Sequence, residues 1–440
     1  MALTRKQERR TRLIVETLDA AFAPLMEADP AAFRAKYRKM AKEPHAFYRG
    51  SACVFDADVT AMDDPYVDDR TSRIWIHGDL HVENFGTYLS SEGVLVFDVN
   101  DFDEAYLGHF SWDVMRFAAS LALTCWQKAL PEHEVRRLVA RYVRAYLQQI
   151  NHYLRTDDDT DFALHLDTAT GPVLEALKSA RKLRRAEMLD QSTSVHHGVR
   201  TFHDDPSLRR LGKREHARVM EAFEGYLATI PEDKRFDRDL FYDVRDVVGK
   251  SGFGIGSAGL PAYNVLVEGY SQALDNDVVL SMKQANVPAL RRFVDSGEID
   301  RYFEHEGQRT VVSQRALQAH TDPLLGYTTV DGVGYVVAEV APYEVDLEWG
   351  DITEPADIAE VVDQLGRATA KIHCASDEDS TQDLVEFQVE EAVAASLEGR
   401  RQAFTEHVVD FAVSYAARVR EDYSLFVDAF REGTIGVSAT

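Results

Sequence analysis

The stretch Ile74–Ser120, IWIHGDLHVENFGTYLSSEGVLVFDVNDFDEAYLGHFSWDVMRFAAS, decides how the rest of the chain is read. It packs His77, Asp79, His81, Asn84, Asp98, Asp101 and Asp113 into one hairpin-like unit. Two apolar runs, Arg73–Ile76 and Val94–Val99, predict strands, with acidic and amide groups just beyond each. A carboxylate able to take a proton stands near an amide oxygen and a carboxylate able to share a magnesium ion. That is a layout suited to phosphoryl transfer. After Asp113, VMRFAASLALTCW predicts a deeply buried helix.

Upstream, residues 5–43 predict helix, with Leu13, Val15, Leu18, Phe22 and Leu25 as its stripe and Pro44 as its end. Arg49, before Gly50, offers a fork that clamps a phosphate or carboxylate, or pairs with an acidic neighbour. Downstream, Pro131–Leu154 predicts an amphipathic helix, residues 157–161 (DDDTD) a surface loop, and Val173–Leu189 and Lys213–Thr229 further helices. His196, His197 and His203 invite a metal, but no carboxylate stands at ligand spacing from them. Near Leu240 the texture changes to strand, glycine loop, strand. Gly254, Gly256 and Gly259 make G-x-G-x-x-G, a weak signal alone. A strand, Tyr263–Gly269, follows that loop, where a dinucleotide fingerprint would open a helix. The next strand, VVLSMK, ends on Lys283. A helix over Glu304–Ala319, a hairpin turning at Asp331–Gly332, and helices over 357–374, 384–397 and 402–431 complete the chain.

The 440 residues suffice for two packed lobes. A formal net charge of −25 argues against nucleic acid as a general partner, because phosphate backbones need clustered Lys and Arg. It leaves ATP open, whose charge one Lys, a metal ion and backbone N–H groups can meet. The acidic balance suits cationic substrates such as amines, or equally a salty cytoplasm. Cys53, Cys125 and Cys374 are far apart and form neither a zinc pattern nor a disulfide framework; Cys125 reads as a buried thiol. The N-terminal MALTRKQERRTRLIVETL lacks an apolar core and no span follows, so the expectation is a cytoplasmic protein with no membrane partner.

HGDLHVEN (77–84) resembles the HGDxHxxN catalytic loop of aminoglycoside and choline kinases. NDFDEAYLGHFSWD (100–113) resembles their DFG-like metal segment and the G-D-P-x-x-D after it. Glycine loop, strand, then Lys on the next strand is the order of a kinase nucleotide lobe. The resemblance implies an α+β, two-lobed, protein-kinase-like fold in circularly permuted order. The mostly helical catalytic lobe comes first (1–240, with a helical insert), the β-rich nucleotide lobe second (241–345), and a helical return to the first lobe last (346–440). The helix ending at IHCASD (372–377) would otherwise run straight into the catalytic loop. Together FYRG (47–50), GDLHVENFG (78–86), NDFDE (100–104), GIGSAG (254–259), MKQA (282–285) and SQRALQA (313–319) also resemble a bacterial family of unknown function. Two departures stand out: Gln284, where that family often has Glu, and Ser313, where its helix motif has Gly.

The resemblance implies roles. Asp79 is the base for the substrate hydroxyl, and Asn84 and Asp101 hold magnesium, with Asp98 as a rival ligand that a bend could bring in. Asp103 stiffens its loop or adds a ligand. Gly254, Gly256, Ser257 and Gly259 approach the phosphates of ATP, and Lys283 gives them a point charge. Glu306 is the leading helix partner for Lys283, ahead of Glu304 and the neutral Gln314. Glu339 to Ala341 would read the adenine edge. His77 and His81 are scaffold, and Asp113 accepts N–H groups of the catalytic loop. The expected activity is an ATP- and magnesium-dependent phosphotransferase on a small-molecule hydroxyl or amine. AMP transfer on the same fold, a nucleotide-binding pseudokinase, and a metal-dependent hydrolase built on His77, Asp79 and His81 are the competing readings. The acceptor is expected to be held by the insert between Thr156 and Asp239, with Arg49, Arg200 and His203 as candidates.

Overall fold

Prolines divide the N-terminal segment that composition alone reads as one helix. In the computed structural model, which describes residues 4–156, 158–236, 241–250, 260–295, 297, 299–318, 320–378, 380 and 384–436, α1 (Arg5–Ala28) stops before Asp29. Helix α2 (Pro30–Met40) then starts with Pro30 in its first turn, and the Asp29 carboxylate accepts the Ala32 N–H at 2.9 Å. A proline there costs nothing, because its missing N–H would be unpaired anyway. Pro44 likewise opens α3 (Pro44–Gly50) rather than only ending its predecessor, and α4 (Ala52–Val59) follows.

The central stretch is not a single hairpin. β1 (Ile74–Ile76) pairs antiparallel with β4 (Tyr106–Gly108), whereas β2 (Phe85–Leu89) pairs with β3 (Leu95–Val99). The two runs expected as strands therefore lie in different small sheets, and the loops after β1 and β3 are brought together by this interleaving. Helix α5 (Phe110–Gln127) is buried from Phe110 through Cys125 on every face, which its apolar composition predicts. It packs with α6 (Glu132–Tyr153). A two-residue β5 (Leu164–His165) adds to β3.

Beyond α7 (Gly171–Ala180) and α8 (Arg185–Ser192), the expected helical insert carries strands as well. β6 (Thr193–His196) and β7 (Val199–Phe202) form a hairpin, and β8 (Leu208–Arg210) joins the main sheet beside β9 (Val244–Lys250). Helix α9 (Lys213–Leu227) lies between. Strands β10 (Ala262–Val267) and β11 (Val278–Gln284) follow, then α10 (Ile299–Tyr302), α11 (Glu306–Gln318), β12 (Gly326–Val330) and β13 (Val333–Glu339). The six-stranded sheet is antiparallel throughout, in the order β12-β13-β11-β10-β9-β8. Val219, Phe223 and Tyr226 of α9 share a core with Val247, Val265, Leu280, Met282 and Val337 of this sheet. Residues 208–230, ahead of the boundary expected at residue 240, thus build onto the sheet. Finally α12 (Pro355–Cys374), α13 (Val389–Ser396) and α14 (Arg401–Glu432) return to the helical core, where they pack with α1, α5 and α6. The three cysteines are free and buried, and no helix among the described residues is long and apolar enough to cross a membrane.

Candidate functional site

Gly78 sets the turn that presents Asp79. Its φ is +77°, and a Cβ there would stand 2.2 Å from the Glu104 carbonyl oxygen. Only glycine fits both constraints. The Asp113 carboxylate, at the start of α5, accepts the His77 N–H at 2.6 Å and the Gly78 N–H at 2.9 Å, and His373 Nε2 of α12 lies 3.3 Å from it. This is the loop-holding placement expected of Asp113.

Asp79 meets a residue that its own motif does not contain. Arg116, fully buried on α5 one turn after Asp113, donates from Nε to Asp79 at 2.7 Å and bridges it again through Nη2. Its guanidinium stacks over Tyr48 at 4.4 Å and Phe55 at 5.0 Å, and its Nη1 is buried without a hydrogen-bond partner. Burial raises the Asp79 carboxyl above its ordinary range, and Arg116 pulls it back. Asn84 donates its amide N–H to the Asp79 carbonyl at 2.9 Å, which leaves its amide oxygen for another partner. Asp101 has φ +61°, a left-handed turn that Asp tolerates better than most residues. It is exposed and lines the same cleft as Asp79.

Asp98 does something else. It sits in β3 opposite Gly86, turned toward α12, where its carboxylate takes the buried Lys371 ammonium; Lys371 also donates to the Leu317 carbonyl at 2.9 Å. The rival ligand is therefore occupied by an internal ion pair. The chain does turn between Asp98 and Asp101, where Asp101 has φ +61°, but the Asp98 carboxylate stays with Lys371.

His77, Asp79 and His81 do not converge. His77 Nε2 lies 2.8 Å from the Asn100 carbonyl, with its ring against Phe102. His81 accepts the Glu83 N–H on Nδ1 at 3.2 Å, and burial, aided by Arg49, keeps it neutral. Among the described residues no group of three or more His, Cys, Asp or Glu could hold a metal ion, so the hydrolase reading has no cluster to rest on. Arg49 pairs with Glu83, which also lies 3.3 Å from His45.

From the sheet, Lys283 and Lys250 flank Ala262, which opposes each of them across β10. Residues opposite one another across strands share a face, so both lysines leave the sheet on the face of Ala262, and desolvation followed by Lys283 lowers Lys250. Lys283 acts on Asp103, whose carboxyl burial and Asp101 push up to about 6, and on Glu344. Glu306 is not its partner. At the first position of α11 it accepts from Arg309 Nε and Arg291 Nη1, both at 2.6 Å. Glu304 is exposed and Gln314 donates to Gln318 at 3.0 Å.

Arg309 anchors α11. It is fully buried and donates to the carbonyls of Ala105 (2.6 Å), Asp103 (2.9 Å) and Asn286 (2.9 Å), pinning α11 to the Asn100–Glu104 loop. Gly307, two residues earlier, packs so closely that a Cβ would stand 2.6 Å from the Tyr335 backbone N and O. Gly307-Gln308-Arg309 thus precedes the SQRALQ stretch (313–318) on the same helix as a second Q-R pair, without a Gln three residues after its Arg.

At the end of β13, Glu339 lends its side chain to Arg185 of α8 and its N–H to Asp322 at 2.8 Å, and Val340 donates to the Val279 carbonyl at 2.8 Å. Burial raises the Glu339 carboxyl to about 7. Of the hinge expected to read adenine, the Glu339 and Val340 N–H groups are therefore already engaged, and Ala341 is half-buried beyond them. The phosphate-loop residues Gly254, Gly256, Ser257 and Gly259 lie outside the described residues. The insert does not line the cleft at its expected contacts. Arg200 is buried against Thr193 at 2.9 Å, Asp190 at 3.0 Å and Asp277 at 3.2 Å, and the His203 N–H donates to the Ser192 carbonyl. The cleft wall facing Asp79 and Asp101 is instead built by α1 to α4, through Phe22, Lys36, Arg49 and Cys53.

Residues 28–429 match the family described as "Uncharacterized protein conserved in bacteria (DUF2252)", and the chain belongs to it. No curated protein and no solved structure matches the chain.

Proposed function

Taking membership of that bacterial family as the premise, we propose that the chain is a magnesium- and ATP-dependent phosphotransferase acting on a small-molecule hydroxyl or amine. The observation that carries this reading is that Asp101 and Asp103 line one cleft with Asp79, and that the charge of Lys283, on the sheet, acts on the Asp103 carboxyl. These groups are about two hundred residues apart in sequence and come from different parts of the fold.

The permuted kinase-like fold is part of the same proposal. Strands β9, β10 and β11, then α11, then the β12–β13 hairpin follow the order of a kinase nucleotide lobe, with Lys283 on its third strand. The end of α12, which would run into the catalytic loop in an unpermuted chain, lies beside that loop through the His373–Asp113 contact.

Each residue then has a role. Asp79 takes the acceptor proton, and Arg116 fixes its orientation. Lys283, with Lys250 beside it, offsets the charge of the nucleotide phosphates. The Asn84 amide oxygen and the Asp101 carboxylate are hard oxygen donors and suit magnesium, which is bound by one or two carboxylates plus phosphate and water oxygens. When bound, that ion would neutralise charge on the phosphate oxygens. Asp98 is left out of this set.

Calorimetric titration with ATP, with and without magnesium, tests the reading. Wild type is expected to bind in a magnesium-dependent manner, and Lys283→Met to bind at least about tenfold more weakly, a loss of about 1.4 kcal/mol. Absence of saturable binding by wild type would overturn it. Analysis of the nucleotide product then separates phosphate transfer, which releases ADP, from AMP transfer, which releases pyrophosphate.

A further inference from the structure

One wall of the cleft in front of Asp79 is cationic, and the roles above leave it unused. Lys36, on α2, is only 3% exposed. Its ammonium lies 3.8 Å from the centre of the Phe22 ring, and no carboxylate among the described residues is within ion-pair distance of it. An unpaired ammonium in such a place is costly. Burial lowers it to about 8, while Cys53, Glu104, Asp79 and Asp101 act in the opposite direction. Arg49 lines the same cavity, and its Nε is buried without a hydrogen-bond partner. Two cationic side chains therefore line one space, Lys36 with no carboxylate partner among the described residues and Arg49 with its Nη1 held by Glu83 and its Nε without a partner.

We infer that Lys36 and Arg49 form the acceptor-recognition end of the site and bind the carboxylate of a small hydroxy or amino acid, whose hydroxyl or amine then lies toward Asp79. The inference rests on the phosphotransferase reading only in calling this ligand the acceptor. Charge supports it. Asp79, Asp101, Asp103 and Glu104 line the other side, so a polyanionic triphosphate is repelled there, whereas a ligand with one anionic end and a neutral or cationic end is complementary to both walls. The nucleotide has its own cations, Lys250 and Lys283, on the sheet.

The test uses the full chain, with glycolate and inorganic phosphate as probes and Mg-ATP as a separate titrant. Wild type is expected to bind glycolate saturably and more tightly than phosphate. Lys36→Met should weaken glycolate at least about tenfold while leaving Mg-ATP binding within about twofold, and Lys283→Met should do the reverse. Lys36→Met removes an unpaired buried charge and keeps an unbranched apolar stem, so its fold should persist. Arg49→Gln provides a second variant with the same expected direction. Glycolate binding that is absent in wild type, unchanged in both variants, or weaker than phosphate binding would overturn the carboxylate assignment. None of these results bears on Mg-ATP binding, so a failure here and a failure of the phosphotransferase reading are distinguishable.

Discussion

Asp79→Asn is expected to lower turnover by roughly 10²–10⁴-fold, the range that a positioned general base supplies, with Mg-ATP binding nearly unchanged. The substitution keeps the side-chain volume and one oxygen that can accept from Arg116 Nε, now at 2.7 Å. It removes the charge and the ability to take a proton. Arg116 is the reason to choose Asn over Ala. With Ala, a fully buried guanidinium would lose its counter-charge and its acceptor together, and breaking a buried pair in that way costs about 3–5 kcal/mol. Lost activity would then be confused with lost fold. The pH profile supplies a second readout. Burial holds the Asp79 carboxyl above its ordinary range despite Arg116. A base must be deprotonated to act, so wild-type kcat should rise with pH through a limb lying above the usual carboxylate region. Asp103, pushed up to about 6, titrates beside it. In Asp79→Asn the residual rate should lose the Asp79 part of that limb. Full activity in the variant, measured as nucleotide turnover at saturating Mg-ATP, would remove Asp79 from the chemistry and leave Arg116–Asp79 as a structural pair.

The site was legible in the sequence where its chemistry is local. His77 to Asn84, Asp101 and Asp113 fall within about forty residues, so their types and spacing carry the pattern without knowledge of the fold. What failed to read was nearly always a partner supplied from elsewhere. Whether Asp98 or Asp101 faces the cleft depends on Lys371, far along the chain, which takes Asp98 for itself. The acidic neighbours of Lys283 are Asp103 and Glu344, from the central loop and the segment after β13, and helix periodicity could not reveal that Glu306 sits at the first turn of α11 against Arg291 and Arg309. The close approach of Gly307 to Tyr335 and the burial of Arg309 on the same helix likewise depend on residues far along the chain. Arg116 did leave a signal. An arginine inside the apolar run VMRFAASLALTCW must be paired if that helix is buried on all sides, and it stands one turn from Asp113, on the same face. The wall made by α1 to α4 left none, because no motif in those helices points at the loop that they cover.

Lys371→Met is expected to destabilise the protein by about 3–5 kcal/mol near neutral pH, a large share of the roughly 5–15 kcal/mol that holds a typical fold. Lys371 is 2% exposed and Asp98 nearly as buried, and the lysine joins Asp98 of β3 to the Leu317 carbonyl of α11. Methionine fills the space but leaves the Asp98 carboxylate without a counter-charge. The pH dependence has a definite sign. Burial already raises the Asp98 carboxyl above its ordinary range with Lys371 present, and removing the lysine raises it further. An acid whose folded pKa lies above its unfolded value is destabilising when ionised, and that cost disappears as pH falls through the folded pKa. The gap between Lys371→Met and wild type in urea denaturation should therefore be widest above neutral pH and should narrow on acidification. Adding Asp98→Leu should recover most of the loss, because replacing both members of a buried pair by apolar groups is often close to neutral. The same pair of variants bears on the metal. If Asp98 only anchors α11 and α12, the double variant should bind Mg-ATP within a few-fold of wild type, whereas Asp101→Ala should weaken binding in magnesium and leave metal-free binding alone. A double variant that folds but loses magnesium dependence would instead return Asp98 to the ligand set and require the Lys371 pair to open when metal enters.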